Sequence, residues 1–395
     1  MTDHTDTAYD DQSVVRTIDH LIQTAVSKGA SDIHLEPKTT GLRVRLRLDG
    51  ILQDYQIIDA RIMQQVLSRI KVLAHINIAE KRTPQDGKFI VHLPALDRSV
   101  DLRISTFPTL FGEKIVIRIL DRAAHMIELE RLGFLPHILA QFRQLIERPH
   151  GFILVTGPTG SGKTTTLYSV LSTLNNAHEN ILTLEDPVEY HLDGVTQGQI
   201  NPEAGFTFEG GMRALLRQDP DILMVGEIRD KQTAQIAIEA ALTGHLVLST
   251  LHTNDAPSAY MRLIDMGIEP FLINASLTGV VAQRLVRKIC THCRQQVEPS
   301  HEQTLLMKRA GMNEGQAIYA GAGCASCDNS GEKGRLGVFE FLKTTPALKE
   351  LIGIQPKYDA ICTQAIADGM QTLLQDAIAK VADGSISVNQ LVQIL

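Results

Sequence analysis

The octet Gly157-Pro158-Thr159-Gly160-Ser161-Gly162-Lys163-Thr164, continued by Thr165, constrains this chain more than any other segment. It satisfies the pattern G-x-x-x-x-G-K-[ST] and stands between an apolar run, Phe152–Val155, and a stretch of helical character. Glycines let successive backbone N–H groups turn toward a phosphate, and the following helix presents its positive end to the same charge. In such a loop Lys163 reaches the β- and γ-phosphates and the Thr164 hydroxyl ligates Mg²⁺. An ordinary glycine turn before a helix does not account for all eight positions in that context. The segment predicts a site for a nucleoside triphosphate on a strand–loop–helix unit.

The surrounding texture supports that unit. Short apolar runs recur at Phe152–Val155, Ile181–Leu184, Ile222–Val225 and Leu246–Leu248, with helical or looped stretches between them. Such an alternation predicts an α/β fold with a parallel sheet covered on both faces. Ligands of such sheets collect beyond the carboxyl ends of the strands. One helix is marked at both ends, by Asp230 as a cap and Gly244 as a stop, around Ile236, Ile238, Ala240, Ala241 and Leu242. The preceding part reads as a smaller α+β domain. Val14, Val15, Ile18, Leu21, Ile22 and Val26 recur at helical spacing up to Lys28-Gly29. Leu42, Val44, Leu46 and Leu48 alternate with Arg43, Arg45 and Arg47 ahead of an Asp49-Gly50 hairpin signal. Ile62 to Leu73 is helical, and Val100–Ile104 and Lys114–Leu120 are strand-like.

At about 150 residues per domain, 395 residues allow two or three domains. The expected layout is an acidic tail over 1–12, the α+β domain over 13–120, a charged linker over 121–131 and the P-loop domain over 132–395. A cysteine-bearing subdomain occupies 288–342 of the last, with helices after it. With 44% hydrophobic and 21% charged residues the composition is globular, which excludes a mostly disordered or collagen-like chain. A net charge of −7 argues against a general nucleic-acid binder. No apolar run approaches the roughly 18 residues of a spanning helix, and Met1–Asp11 has no signal-peptide pattern. A cytoplasmic protein is expected.

The other strand ends decide what could be done to the nucleotide. Ile181–Leu184 runs into Glu185-Asp186-Pro187-Val188-Glu189, Ile222–Val225 into Gly226-Glu227, and Leu246–Leu248 leads on to His252. Hydrolysis needs a carboxylate that activates water, a carboxylate near Mg²⁺ and a polar sensor near the γ-phosphate. Any one of these groups alone fits a solvated surface charge; together, at successive strand ends, they make a candidate site. A second constellation is separate. Cys290-Thr291-His292-Cys293 and Cys324-Ala325-Ser326-Cys327 are two C-x-x-C pairs, each able to form one knuckle of a tetrahedral site. Gly321, Gly323, Gly331 and Gly334 supply the turns. Structural Zn²⁺ is the reading, with disulfides or an iron–sulfur cluster as alternatives.

At these residues the chain resembles the secretion ATPases of bacterial type II secretion and type IV pilus systems. The P-loop, an Asp box (Thr183 to Tyr190), a Walker B segment (Leu216 to Asp230) and a His box (Thr243-Gly244-His245 through Ser249 to Asn254) all match. Ser31 to Pro37 and Arg82 to Gly87 match the family's preceding domain. The likeness runs from about residue 13 to the C-terminus. It implies a PAS-like first domain, a RecA-like ATPase core and a homo-hexameric motor using ATP and Mg²⁺. Glu189 would activate water, Glu227 would hold the Mg²⁺ shell, and His245 and His252 would couple the γ-phosphate to neighbouring parts. Arg213, Arg217, Arg229 and Arg262 would lie near the nucleotide. Arg103 and Arg118, which by themselves fit a solvated strand face, would act partly across a subunit interface. The tetracysteine subdomain is that of assembly and secretion members.

The implied work is assembly of a type IV pilus or a type II secretion pseudopilus at the bacterial inner membrane. The protein would be peripheral there, attached through partners to a platform protein, with no nucleic acid involved. The family's further N-terminal docking domain has no counterpart in the dozen residues before the first shared domain, which leaves the recruitment partner open. Two other readings compete. One is a DNA-uptake or conjugation-type translocation ATPase, predicting DNA-stimulated turnover. The other is a non-hydrolysing, nucleotide-gated scaffold.

Overall fold

The computed structural model describes residues 11–120, 127–313, 315–354 and 357–395. It divides into two compact units, Met1–His125 and Met126–Leu395. Most of the acidic tail (1–10) and of the expected linker (121–126) lies outside the described residues. Among the described residues no helix is long and apolar enough to cross a membrane.

The first unit runs α1 (Asp11–Ser27), β1 (Asp32–Lys38), β2 (Gly41–Leu48), β3 (Ile51–Ile58), α2 (Ala60–Leu73), β4 (Gln85–Leu93), β5 (Arg98–Thr109) and β6 (Gly112–Leu120). Its six strands form one antiparallel sheet in the order β3-β2-β1-β6-β5-β4. Leu42, Val44 and Leu46 are buried together with Ile33, Leu35, Ile115 and Ile117 against α1 and α2. Strand alternation therefore turns Arg43, Arg45 and Arg47 to the other face. Asp49 and Gly50 both have positive φ, 47° and 85°, as the two-residue turn between β2 and β3 requires. Arg103 and Arg118 are direct cross-strand neighbours on β5 and β6. Arg118 Nε donates to Asp32 Oδ1 at 3.2 Å, and Arg47 lies 3.5 Å from the other oxygen of the same carboxylate.

The second unit begins with α3 (Pro136–Ile146), β7 (Gly151–Thr156), α4 (Lys163–Leu174), β8 (Ile181–Glu185) and β9 (Thr196–Gln199). It continues through α5 (Phe208–Leu215), β10 (Ile222–Val225), α6 (Lys231–Leu242), β11 (Leu246–Leu251), α7 (Ala256–Asp265), α8 (Pro270–Ser276) and β12 (Leu277–Ile289). The remainder is β13 (Arg294–Val297), α9 (His301–Ala310), β14 (Ile318–Gly321), β15 (Glu332–Lys343), α10 (Pro346–Ile354), α11 (Tyr358–Ala367) and α12 (Leu373–Ala382). Seven strands form a sheet in the order β15-β12-β7-β11-β10-β8-β9, parallel throughout except for β15 at one edge.

Both faces of this sheet are covered, as the apolar runs predict. Phe152, Leu154, Leu223, Val225 and Val247 pack on one side with residues of α6, α7 and α8. Ile153, Val155, Ile222, Met224 and Leu248 pack on the other with residues of α3 and α4. Asp230 caps α6 by accepting the Thr233 N–H at 2.8 Å. Strand β12 extends into a third core, where Val286 meets Ile318, Val338, Met307 and Val381.

Candidate nucleotide site and metal centre

The P-loop leaves the carboxyl end of β7, which is flanked by β11 and β12. Gly157 has φ +150°, and a Cβ there would lie 2.5 Å from both the Gln283 carbonyl and Ser161 Oγ, so only glycine fits. Gly162, at φ +89°, sits at the amino end of α4, and Lys163 opens the helix. The ammonium of Lys163 donates to the carbonyls of Gly157 at 2.9 Å and Pro158 at 3.1 Å. Burial draws its pKa down and the Glu227 carboxylate pulls the other way. Ser161 Oγ is buried with no hydrogen-bond partner among the described residues, which suits a loop that offers donors to phosphate. The loop is braced by Gln283 on β12, which is 1% exposed. Gln283 Nε2 donates to the Ser161 carbonyl at 2.6 Å, while its Oε1 accepts from Thr166 Oγ1 at 2.8 Å.

The neighbouring strand ends converge on the same place. Glu227, just past β10, is paired with Arg229, and its second oxygen lies 3.5 Å from His252 Nε2 at the end of β11. The hydroxyls of Ser249 and Thr250 fix this register by donating to the carbonyls of Val225 and Gly226, each at 2.7 Å. Thr156, the last residue of β7, accepts the Thr253 N–H at 2.9 Å. Thus Lys163, Glu227, Arg229 and His252 form one cluster. Glu189 lies on the exposed turn after β8, and its N–H donates to Tyr168 Oη at 3.3 Å. The buried acid of that turn is Glu185. It accepts from Thr183 Oγ1 at 2.6 Å, Gln197 Nε2 at 3.2 Å and the Tyr168 hydroxyl. Burial pushes the Glu185 carboxyl up, against these three hydrogen bonds.

Not every expected residue reaches this cluster. His245 precedes β11 and His252 follows it, so the six-residue strand separates them by about 20 Å. His245 Nδ1 lies 2.9 Å from the Ala240 carbonyl at the far end of the sheet, where the imidazole closes α6. Arg213 pairs with Glu209 at 3.3 Å, and Arg217 donates to the Arg213 carbonyl at 2.7 Å, both exposed around the end of α5. Arg262 is exposed on α7. The structure adds an arginine that the motifs did not single out. Arg284 on β12 donates to the carbonyls of Asn254 at 2.7 Å and Gln283 at 3.2 Å, linking the end of the His box to the P-loop's neighbour strand.

The four cysteines gather beyond the end of β12. Their sulfurs all lie within 4.8 Å of one another. Cys290–Cys324, Cys293–Cys327 and Cys324–Cys327 are 3.9, 3.8 and 3.7 Å apart. A tetrahedral site with Zn–S bonds of about 2.3 Å requires S···S separations of about 3.8 Å. A disulfide requires about 2.05 Å. The spacing fits a metal. The N–H groups of Cys324 and Gly331 point at Cys327 Sγ, each at 3.3 Å, and favour a thiolate there. Gly321 and Gly331 close the base of the second knuckle, since a Cβ on Gly321 would stand 1.9 Å from the Gly331 carbonyl oxygen. Cys362, the fifth cysteine, is half-buried on α11, outside this group.

A phosphate-binding loop at the end of an inner parallel strand, with acid, imidazole and guanidinium at the adjoining strand ends, defines the class: a P-loop nucleotide-binding α/β protein. More narrowly, the chain belongs to the Type II/IV secretion system protein family, whose model matches residues 7–393. It is 46% identical over 385 residues to the type II secretion system ATPase E of Vibrio cholerae, covering 98% of this chain and 76% of that one. It is 45% identical over 386 residues to the type IV pilus assembly ATPase PilB of Thermus thermophilus, covering 97% of this chain but 43% of that one. Among solved structures it is similar to the pilus retraction motor PilT with bound ADP, at 27% identity and a TM-score of 0.64, with 96% of each chain covered.

Proposed function

We propose that this protein is an ATP-hydrolysing motor. It works as a homo-hexamer that powers assembly of a type IV pilus or a type II secretion pseudopilus from the cytoplasmic face of the bacterial inner membrane. Attachment there is through a platform protein. The observation that carries this reading is the convergence of Lys163, Glu227, Arg229 and His252 at the carboxyl ends of three adjacent parallel strands. The names of the Vibrio cholerae and Thermus thermophilus relatives support the activity and the setting.

In this reading Lys163 leaves the Gly157 and Pro158 carbonyls and takes the β- and γ-phosphates, drawn by charge into a site where burial has left it few competing partners. Thr164 and Glu227 would hold Mg²⁺, which supplies neutralisation of the charge that develops on the phosphates. Glu189 activates water, His252 reports the γ-phosphate to Glu227, and Arg103 and Arg118 of a neighbouring subunit complete the charge. Residues 13–120 and 132–395 are the two articulated domains, and 288–342 is a subdomain whose four thiolates would hold a structural Zn²⁺. The test is phosphate release from ATP by the purified full chain. Lys163→Ala should abolish it and added DNA should leave it unchanged. Wild-type turnover in Lys163→Ala overturns the reading, and strong DNA stimulation points to the translocase instead.

A further inference from the structure

One polar network of the second unit reaches the Glu189 turn, and the function proposed above gives no role to the residues that build it. Its centre is Tyr168, 1% exposed, on α4 five residues beyond Lys163. The Tyr168 hydroxyl donates to Glu185 and accepts the Glu189 N–H at 3.3 Å and a Gln197 Nε2 hydrogen at 3.4 Å. Gln197, on β9, also donates to the Tyr190 carbonyl at 3.2 Å and accepts the Leu192 N–H at 2.8 Å. The Tyr168 and Tyr190 rings meet edge to face with centroids 4.5 Å apart. Side chains of α4 and β9 therefore tie down the turn that bears Glu189.

We propose that Tyr168 is a positioning residue for hydrolysis: its hydroxyl holds the Glu189 turn at a set distance from the triphosphate. The helix that carries it is the one whose amino end takes the phosphates. Five residues at about 1.5 Å each place the hydroxyl's anchor point roughly 7.5 Å along the axis from Lys163. A single rigid element thus spans from the bound phosphates to the turn, and α4 transmits any shift of the P-loop to Glu189. Misplacement of a reacting group by about 1 Å costs on the order of a hundredfold in rate. Freeing the turn from one of its tethers is expected to cost about tenfold or more. The inference rests on Glu189 as the water-activating group.

The test measures ATP turnover by the full chain as Tyr168→Phe, which keeps the ring and removes the hydroxyl. The expected result is a fall in kcat of about tenfold or more, with KM for ATP and the Kd of a non-hydrolysable analogue within about threefold of wild type. In a Glu189→Gln background the same change should add no further loss, because the two residues act as one unit. Wild-type kcat in Tyr168→Phe, or equal proportional losses in both backgrounds, overturns the inference. Wild-type turnover in Glu189→Gln instead overturns the parent reading of Glu189. If Tyr168→Phe unfolds, Gln197→Met keeps the volume while removing the amide that ties Tyr168 to Tyr190. It must then lower kcat at unchanged KM, and wild-type kcat in that variant counts against the proposal.

Discussion

Gln283 offers a stringent test of how the P-loop is held. Replacing it by leucine keeps the volume but removes the donor to the Ser161 carbonyl and the acceptor of the Thr166 hydroxyl, both within a residue that is 1% exposed. An orphaned buried polar group costs about 1–3 kcal/mol. The Thr166 hydroxyl can turn back to a carbonyl one helical turn earlier, which recovers part of its share. The net expectation is a loss of about 2–4 kcal/mol, concentrated where Ser161 meets α4. If about 2 kcal/mol of this falls on the nucleotide-competent loop, the Kd for ATP rises about 30-fold. Titration calorimetry with Mg²⁺ and a non-hydrolysable analogue, paired with thermal unfolding, measures both parts. Gln283→Glu should be no better, since it restores the acceptor for Thr166 but faces a carboxylate toward the Ser161 carbonyl and incoming phosphates. A Gln283→Leu protein that binds within twofold of wild type at an unchanged Tm would refute the bracing role.

Other consequences are measurable independently. Elemental analysis of freshly purified protein should find about one zinc per chain, Cys327→Ser should lose it, and less than half an equivalent in wild type would count against the metal centre. In the first unit, burial alone would raise the Glu36 carboxyl, but Arg45 and Lys114 outweigh it and hold its pKa at about 2 against an ordinary 4.5. A depressed carboxylate stabilises the fold above its unfolded pKa and loses that contribution as pH falls toward its folded one. Stability should therefore decline between about pH 4.5 and 2, with a shallower decline in Glu36→Gln, as followed by urea unfolding across that range. For the arginines in trans, mixing Arg118→Ala with Lys163→Ala subunits should restore turnover. No restoration, together with full activity of Arg118→Ala alone, would remove them from the reaction.

How far the sequence alone reaches depends on whether the determining interaction is local. The apolar runs located strands well: Ile222–Val225 is β10, and Phe152–Val155 lies within β7, because a strand buried on both faces must be apolar throughout. Asp49-Gly50 and the cap at Asp230 were equally legible, since each conformation is set by its own residues. The two cysteine pairs foretold the four-sulfur cluster, because each C-x-x-C spacing by itself makes a knuckle. Strand β12 was not legible, as Gln283 and Arg284 interrupt its apolar pattern for the sake of partners on the P-loop and the His box. Gln283 meets Thr166 across 117 residues, and nothing local announces the pairing. His245 and His252 are indistinguishable as motif histidines, and only the length of β11 between them shows that one alone belongs with Glu227.

A structure of the protein with Mg²⁺ and a non-hydrolysable ATP analogue would show whether the strand ends act on the nucleotide together. The proposed hydrolytic site requires Lys163 Nζ withdrawn from the Gly157 and Pro158 carbonyls onto the β- and γ-phosphates, Glu227 at the Mg²⁺ shell and Glu189 turned toward the γ-phosphate in at least one subunit state. Glu189 and Glu227 both directed away from the terminal phosphate in every subunit would contradict it.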